Sequence, residues 1–135
     1  MSVALAAQSP ALPAALGPGK QPFDRASALY CHVLVRTDLP LAQQAVQAIH
    51  AAMACVGEHG GLTADTRLVL LGVSGPDELL HWAHRLASQG IAYSLFEEPD
   101  HGIGPSALAT RPGLLAERKG LGRLPLWSPG VASNG

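Results

Sequence analysis

Charge is scarce in this chain: of 135 residues only 14% are Asp, Glu, Lys or Arg, and the formal net charge is −1. With no global positive field, any polyanion would have to be met by a local basic patch, which counts against a general nucleic-acid binder. Cysteine is scarcer still. Cys31 and Cys55 stand alone, outside any CxxC or ligand-spaced cluster. Since Cys31 falls in an apolar strand pattern and Cys55 in a helix, buried free thiols are expected rather than a disulfide or a metal site. The lack of a disulfide framework makes a cytoplasmic location the simpler expectation. No apolar run approaches the roughly 20 residues of a membrane span. Met1 to Ala7 is apolar but has no basic n-region and soon meets Pro10 and Pro13, so it is not read as a signal peptide. There is no internal repeat, no nucleophile elbow of the Gly-x-Ser-x-Gly kind, and no phosphate-binding fingerprint, Gly102-Ile103-Gly104 being too short for one.

What is present is 47% hydrophobic residues, enough at this length for one domain with a real core. Residues 1–27, rich in Ala, Pro, Gly and Ser without period, read as a flexible arm. The domain proper is expected over 28–127, with a frayed tail at 128–135. Leu29 to Arg36 reads as a strand buried on both faces. Thr37 and Asp38 are good N-cap types, and Pro40 suits the first turn of a helix expected to reach Val56 and to end at Gly57. On a helical wheel Leu41, Ala45, Ile49, Ala52, Met53 and Val56 share the expected core-facing stripe, while Gln43, Gln47 and His50 share another.

Arg67 to Val73 is a second strand, and Ser74-Gly75-Pro76-Asp77 a strong start for a second helix. Leu79, Trp82, Ala83, Leu86 and Ala87 make its apolar face, and Gly90 stops it. Strands at Ile91–Phe96 and Ser106–Thr110 follow, separated by the acidic turn Glu97 to Gly102. Arg118, Lys119 and Arg123 form a basic segment, after which Trp127 is placed to dock the tail. The order predicts an α/β single-domain, three-layer sandwich in which a four-stranded mixed sheet is flanked by helices.

Three groups of residues can carry chemistry. His81 and His84, three apart on a polar helix face, have no third metal ligand, so no metal site is assigned. Arg36 and Asp38, alternate residues at a strand end, project to one side as a guanidinium beside a carboxylate, either as a binding pair or as an ion pair that fixes the turn. Gln47 and His50 either form a solvated face or line a cleft with Asp100 across the sheet, where imidazole can act as acid or base.

The run Val35-Arg36-Thr37-Asp38-Leu39, followed by Gln47 and His50-Ala51 on the next helix, resembles the archaeal and eukaryotic-type (type 2) peptidyl-tRNA hydrolases, over about residues 29 to 110. The resemblance implies cleavage of the ester between a peptide and the terminal ribose of tRNA, with no metal or organic cofactor. It implies catalytic roles for His50, Asp100 and Gln47, and substrate-binding roles for Arg36, Asp38 and Gln43. Arg118, Lys119 and Arg123 would meet tRNA phosphates, and a homodimer would be the assembly. The glycine-lysine segment of that family is replaced here by the shorter Pro40-Leu41-Ala42-Gln43-Gln44-Ala45, and the chain's two lysines, Lys20 and Lys119, lie elsewhere. A second expectation therefore stands beside the first: an inactive member of the fold that binds RNA or a protein.

Overall fold

Seven of the eight residues of the first strand, β1 (Leu29–Arg36), are buried. A strand so apolar has to lie inside a sheet with both faces covered. The computed structural model, which describes residues 23–129, places it there. After β1 come α1 (Leu41–His59), β2 (Arg67–Val73), α2 (Pro76–Ser88), β3 (Tyr93–Glu98), β4 (Gly104–Thr110), the two-residue β5 (Gly113–Leu114) and a kinked 3-10 segment, Leu115–Arg123.

The sheet runs β2-β1-β4-β3, with β5 pairing the start of β1. Among the described residues only β1 and β2 pair in parallel. Val33 opposes Ala109 and Phe96 opposes Ala107 in the antiparallel ladders. The mixed α/β character agrees with the sequence. The strand count rises from four to five because Gly113 and Leu114 pair with Tyr30 and Leu29, a ladder too short to show a period.

Side-chain parity divides the interior into two layers. Leu34, Leu71, Val73 and Leu108 pack with Leu79, Trp82, Ala83 and Leu86 of α2 on one face. Cys31, Val33, Val35, Ala107 and Ala109 pack with Ala51 and Cys55 of α1 on the other. Both cysteines are buried and free. The face predicted for α2 is the observed one, apart from the exposed Ala87.

The face predicted for α1 is not. Leu41, Ala45, Ile49, Met53 and Val56 point to solvent, with Ile49 58% and Met53 65% exposed, and Ala52 is half-buried. The buried arc is Gln44, Gln47, Ala51 and Cys55. The sheet opposite presents small residues, Ala107 and Ala109, so the helix side with the smaller side chains can approach it closely. The two glutamines tolerate burial because every polar atom on them finds a partner. A hydrophobic wheel ranks faces by oiliness and cannot see that satisfaction.

Helix ends also depart from expectation. Pro40, not Thr37 or Asp38, occupies the N-cap of α1. The helix passes Gly57 and stops only at Gly60. Two bonds hold its last turn to β3: Ser94 Oγ donates to Glu58, and the His59 ring nitrogen Nε2 donates to the Tyr93 carbonyl at 3.1 Å. β3 begins at Tyr93 rather than Ile91 and runs two residues past Phe96, and β4 begins at Gly104 rather than Ser106.

The C-terminal stretch closes the edge of β2. Gly72 N–H donates to Pro125 O at 3.0 Å and Trp127 N–H to Leu70 O at 2.9 Å. The Trp127 indole reaches Gln44 Oε1 at 2.6 Å, so the tail is docked through Trp127 as the sequence suggested. The arm expected over residues 1–27 lies mostly outside the described residues, as does most of the tail 128–135; Phe23 to Ser27 are exposed.

Candidate functional site

The carboxyl ends of β1 and β3, the region where open α/β sheets place ligands, collect most of the polar side chains singled out in the sequence. β1 delivers Arg36 into the turn, where its guanidinium donates to both Asp38 oxygens, from Nε at 3.0 Å and from Nη2 at 2.8 Å. Nη1 donates to the carbonyls of Ile103 at 2.7 Å and Pro105 at 2.9 Å. Four of the five donors of a guanidinium are thereby engaged. Arg36 clamps the β1–α1 turn to the loop that enters β4. The guanidinium beside Asp38 holds that carboxyl below the usual carboxylate range, and the carboxylate in turn raises Arg36.

Gln44, which sequence reasoning passed over, fixes the same turn from the helix side. Its Nε2 donates to Leu39 O at 2.7 Å and to Thr37 O at 3.2 Å while Oε1 accepts from Trp127. One turn later Gln47, wholly buried, donates from Nε2 to Glu98 Oε1 at 2.8 Å and to Gln43 Oε1 at 3.0 Å, and accepts from Ser106 Oγ at 2.7 Å. The carboxylate sets the amide's orientation, because Glu98 only accepts and Nε2 must face it.

Ser106 reaches Gln47 through an irregularity in the ladder. Phe96 pairs with Ala107 but Glu97 pairs with Pro105, so Ser106 is the extra residue of a β-bulge. Regular alternation would have sent Ser106 to the α2 side with Leu108. The bulge turns it to the α1 side instead. Glu98 keeps step with Ser94 and Phe96, all three meeting α1.

Glu98 is the central acid of the group. Gln47 and then the Asp100 N–H, which donates to Oε2 at 3.2 Å, hold its carboxyl below the usual range, with His50 and His101 adding positive potential. His50 lies flat on Phe96, ring centroids 4.5 Å apart and 8° from parallel. The His50 side chain is exposed, and among the described residues no hydrogen bond engages it. Asp100 is also exposed and contributes only backbone atoms to the group.

The structure thus joins Gln43 with Gln47 directly, sets His50 within electrostatic reach of Glu98, and holds Arg36 and Asp38 at the neighbouring turn. The basic segment is elsewhere. Arg118 is buried, donating to Tyr30 O at 3.0 Å, to Thr110 Oγ1 at 2.7 Å and to the Arg111 carbonyl. It ties the C-terminal segment to the start of β1, opposite the end that carries Arg36, and is not the surface cation expected from the sequence. Lys119 and Arg123 are exposed. Among the described residues no three His, Cys, Asp or Glu side chains gather as for a metal, and no helix is long and apolar enough to cross a membrane.

Glu98, Ser106 and Gln44 are the additions to the sequence-derived set. Glu98 continues the alternation of Ser94 and Phe96, a pattern hidden in the sequence by the acidic turn that follows. Nothing in the sequence signalled the bulge that recruits the second. No protein-family model and no curated protein matches the chain.

Proposed function

We propose that the chain is a divergent peptidyl-tRNA hydrolase-like enzyme that cleaves the ester between peptide and tRNA at the group built around His50 and Glu98. The observation that carries this reading is an exposed imidazole held flat on Phe96 beside an anionic Glu98 that Gln47 fixes in place. An imidazole so placed accepts a proton from water, and the nearby carboxylate stabilises the imidazolium that results. The hydroxide adds to the ester carbonyl, and collapse of the tetrahedral adduct expels the ribose oxygen, which takes the proton back from His50. Gln47, Ser106, Arg36 and Asp38 use their polar groups on one another and on backbone carbonyls, so their part is to position. Asp100 and Gln43 stand at the rim, where a substrate would meet them.

A hydrolysis assay on purified peptidyl-tRNA tests this. His50→Ala should lower kcat/KM at least about a hundredfold, and Glu98→Gln should lower kcat while leaving the fold intact. Wild-type turnover at the rate of the buffer alone would refute the proposal.

One observation favours a second reading, an interaction module that associates with a copy of itself. The bare arc of α1 presents five half-exposed aliphatic side chains, Leu41, Val46, Ile49, Met53 and Val56, on the order of 500 Å² and near the upper end for a monomer. Two such faces would bury about 1,000 Å², the lower bound of a specific interface. Leu41 to Gly57 contains no charged residue, so two copies meet without like-charge repulsion. Sedimentation of the wild type against the Ile49→Glu/Met53→Glu variant reads this directly: a dimer that dissociates supports it, and a wild-type monomer excludes it.

A further inference from the structure

On the opposite face of the sheet from His50, near the start of β1, lies a cavity of about 430 Å³ between the strands and the C-terminal segment. Arg25, His32, Arg118 and Lys119 line it, and no Asp or Glu does. In a chain of net charge −1, an acid-free cavity with three cationic side chains is a marked local excess. The remaining wall is apolar, with Val69, Leu115, Leu121 and Leu124 among it.

Arg118 gives the cavity its character. It is 6% exposed, yet its partners are two carbonyls and a hydroxyl, and among the described residues no carboxylate forms an ion pair with it. The Glu117 carboxylate acts on it only from beyond ion-pair contact, and a buried cation without a contacting counter-ion is costly, its usual remedy being a closer anion. Arg118 Nε and His32 Nδ1 are, moreover, buried with no hydrogen-bond partner among the described residues, including each other. Native structures leave few such atoms. Gly113 keeps the guanidinium in place, since a Cβ there would stand 2.6 Å from Nη2.

We propose that this cavity is a binding site for a small amphiphilic anion, a carboxylate or phosphate head group on an apolar body. The head group acts as counter-ion to Arg118, with the exposed ammonium of Lys119 and guanidinium of Arg25 at the mouth. The body lies along Val69, Leu121 and Leu124. Burial and the Arg118 charge push His32 down to about 4, so at neutral pH it is an uncharged wall able to hydrogen-bond. The site shares no residue with the His50 group and stands or falls independently of the hydrolase proposal.

The test uses the full chain and three probes: octanoate, octyl phosphate and the neutral n-octanol. Titration calorimetry measures binding, and the Arg118 Nε–H resonance reports the cavity by nuclear magnetic resonance. Saturable binding of either anion with a shift of that resonance, and at least about tenfold weaker binding of octanol, is expected; the tighter of the two anions identifies the head group. The variant Arg25→Glu/Lys119→Glu changes only surface positions, so it should fold and should weaken anion binding about tenfold or more. Binding of octanol as tight as that of the anions, anion binding untouched by the double charge reversal, or no binding of either anion would each overturn the proposal.

Discussion

Between pH 7 and pH 4 a single side chain should remove up to about 3 kcal/mol of stability. His32 is 4% exposed, and burial, with the positive charge of Arg118 beside it, lowers its pKa from 6.5 to about 4. As the pH falls below 6.5, the unfolded chain takes up a proton at this position while the folded chain stays neutral down to about 4. Proton uptake therefore favours unfolding throughout that window and ceases to do so below it. The gap at about 1.4 kcal/mol per pH unit gives the ceiling of about 3 kcal/mol. Urea unfolding of the wild type and of His32→Gln at half-unit steps from pH 7.5 to 3.5 isolates the effect, because the other histidines are common to both proteins. The wild type should lose ground steadily to the variant from pH 6.5 and hold a constant deficit below 4. A difference in stability that stays flat across the range, or a His32 ring proton that titrates near 6.5, would refute the reasoning.

Four further outcomes follow from the packing. Cys31 is pushed up to about 11 by burial and by Cys55, and burial likewise raises Cys55, so neither thiol should react with a thiol reagent at pH 8 in the native state, while both should react in denaturant. Gln47→Leu leaves Ser106 and Glu98 without their amide and should cost about 1–3 kcal/mol in a chemical unfolding experiment, whereas the same change at the exposed Gln89 should be near neutral. Gly113→Ala, with its Cβ forced against Arg118, should cost at least about 1–3 kcal/mol. By contrast Gly57→Ala, in a helix interior with nothing within 4 Å, should raise stability by about 0.5–1 kcal/mol.

The strands were legible because β1 and β2 are nearly continuous apolar runs bounded by turn residues, and the second helix because Pro76 and Gly90 mark its ends. The orientation of α1 was not. Its apolar residues outnumber its buried ones, and the wheel carries no information about which amides meet Glu98 or the carbonyls of Thr37 and Leu39. Within the site, Arg36, Asp38, Gln43, Gln47 and His50 could be picked out by type and spacing. Glu98 was obscured by its two acidic neighbours in the turn, Glu97 and Asp100. The recruitment of Ser106 rests on one extra residue in a ladder, which leaves no compositional trace. Arg118 read as one of three surface cations because nothing in its neighbours' identity announces a buried guanidinium; its partners are the carbonyls of Tyr30 and Arg111 and the Thr110 hydroxyl.

The central place of β1 in the sheet has a consequence for how the chain folds as it is made. Its parallel partner, its two antiparallel partners and the arginine that seals its start all lie downstream, and Val33 pairs with Ala109, a separation of 109 − 33 = 76 residues. At ribosomal speeds of about 5–20 residues per second that gap corresponds to roughly 4–15 s. During that interval β1 can pair only with β2, its antiparallel edge is unpaired, and the oily arc of α1 is already in the open. Non-local pairing of this kind slows folding in free solution as well. The earliest-made strand among the described residues is thus among the last to be secured, and the growing chain has more need of a chaperone than the finished protein.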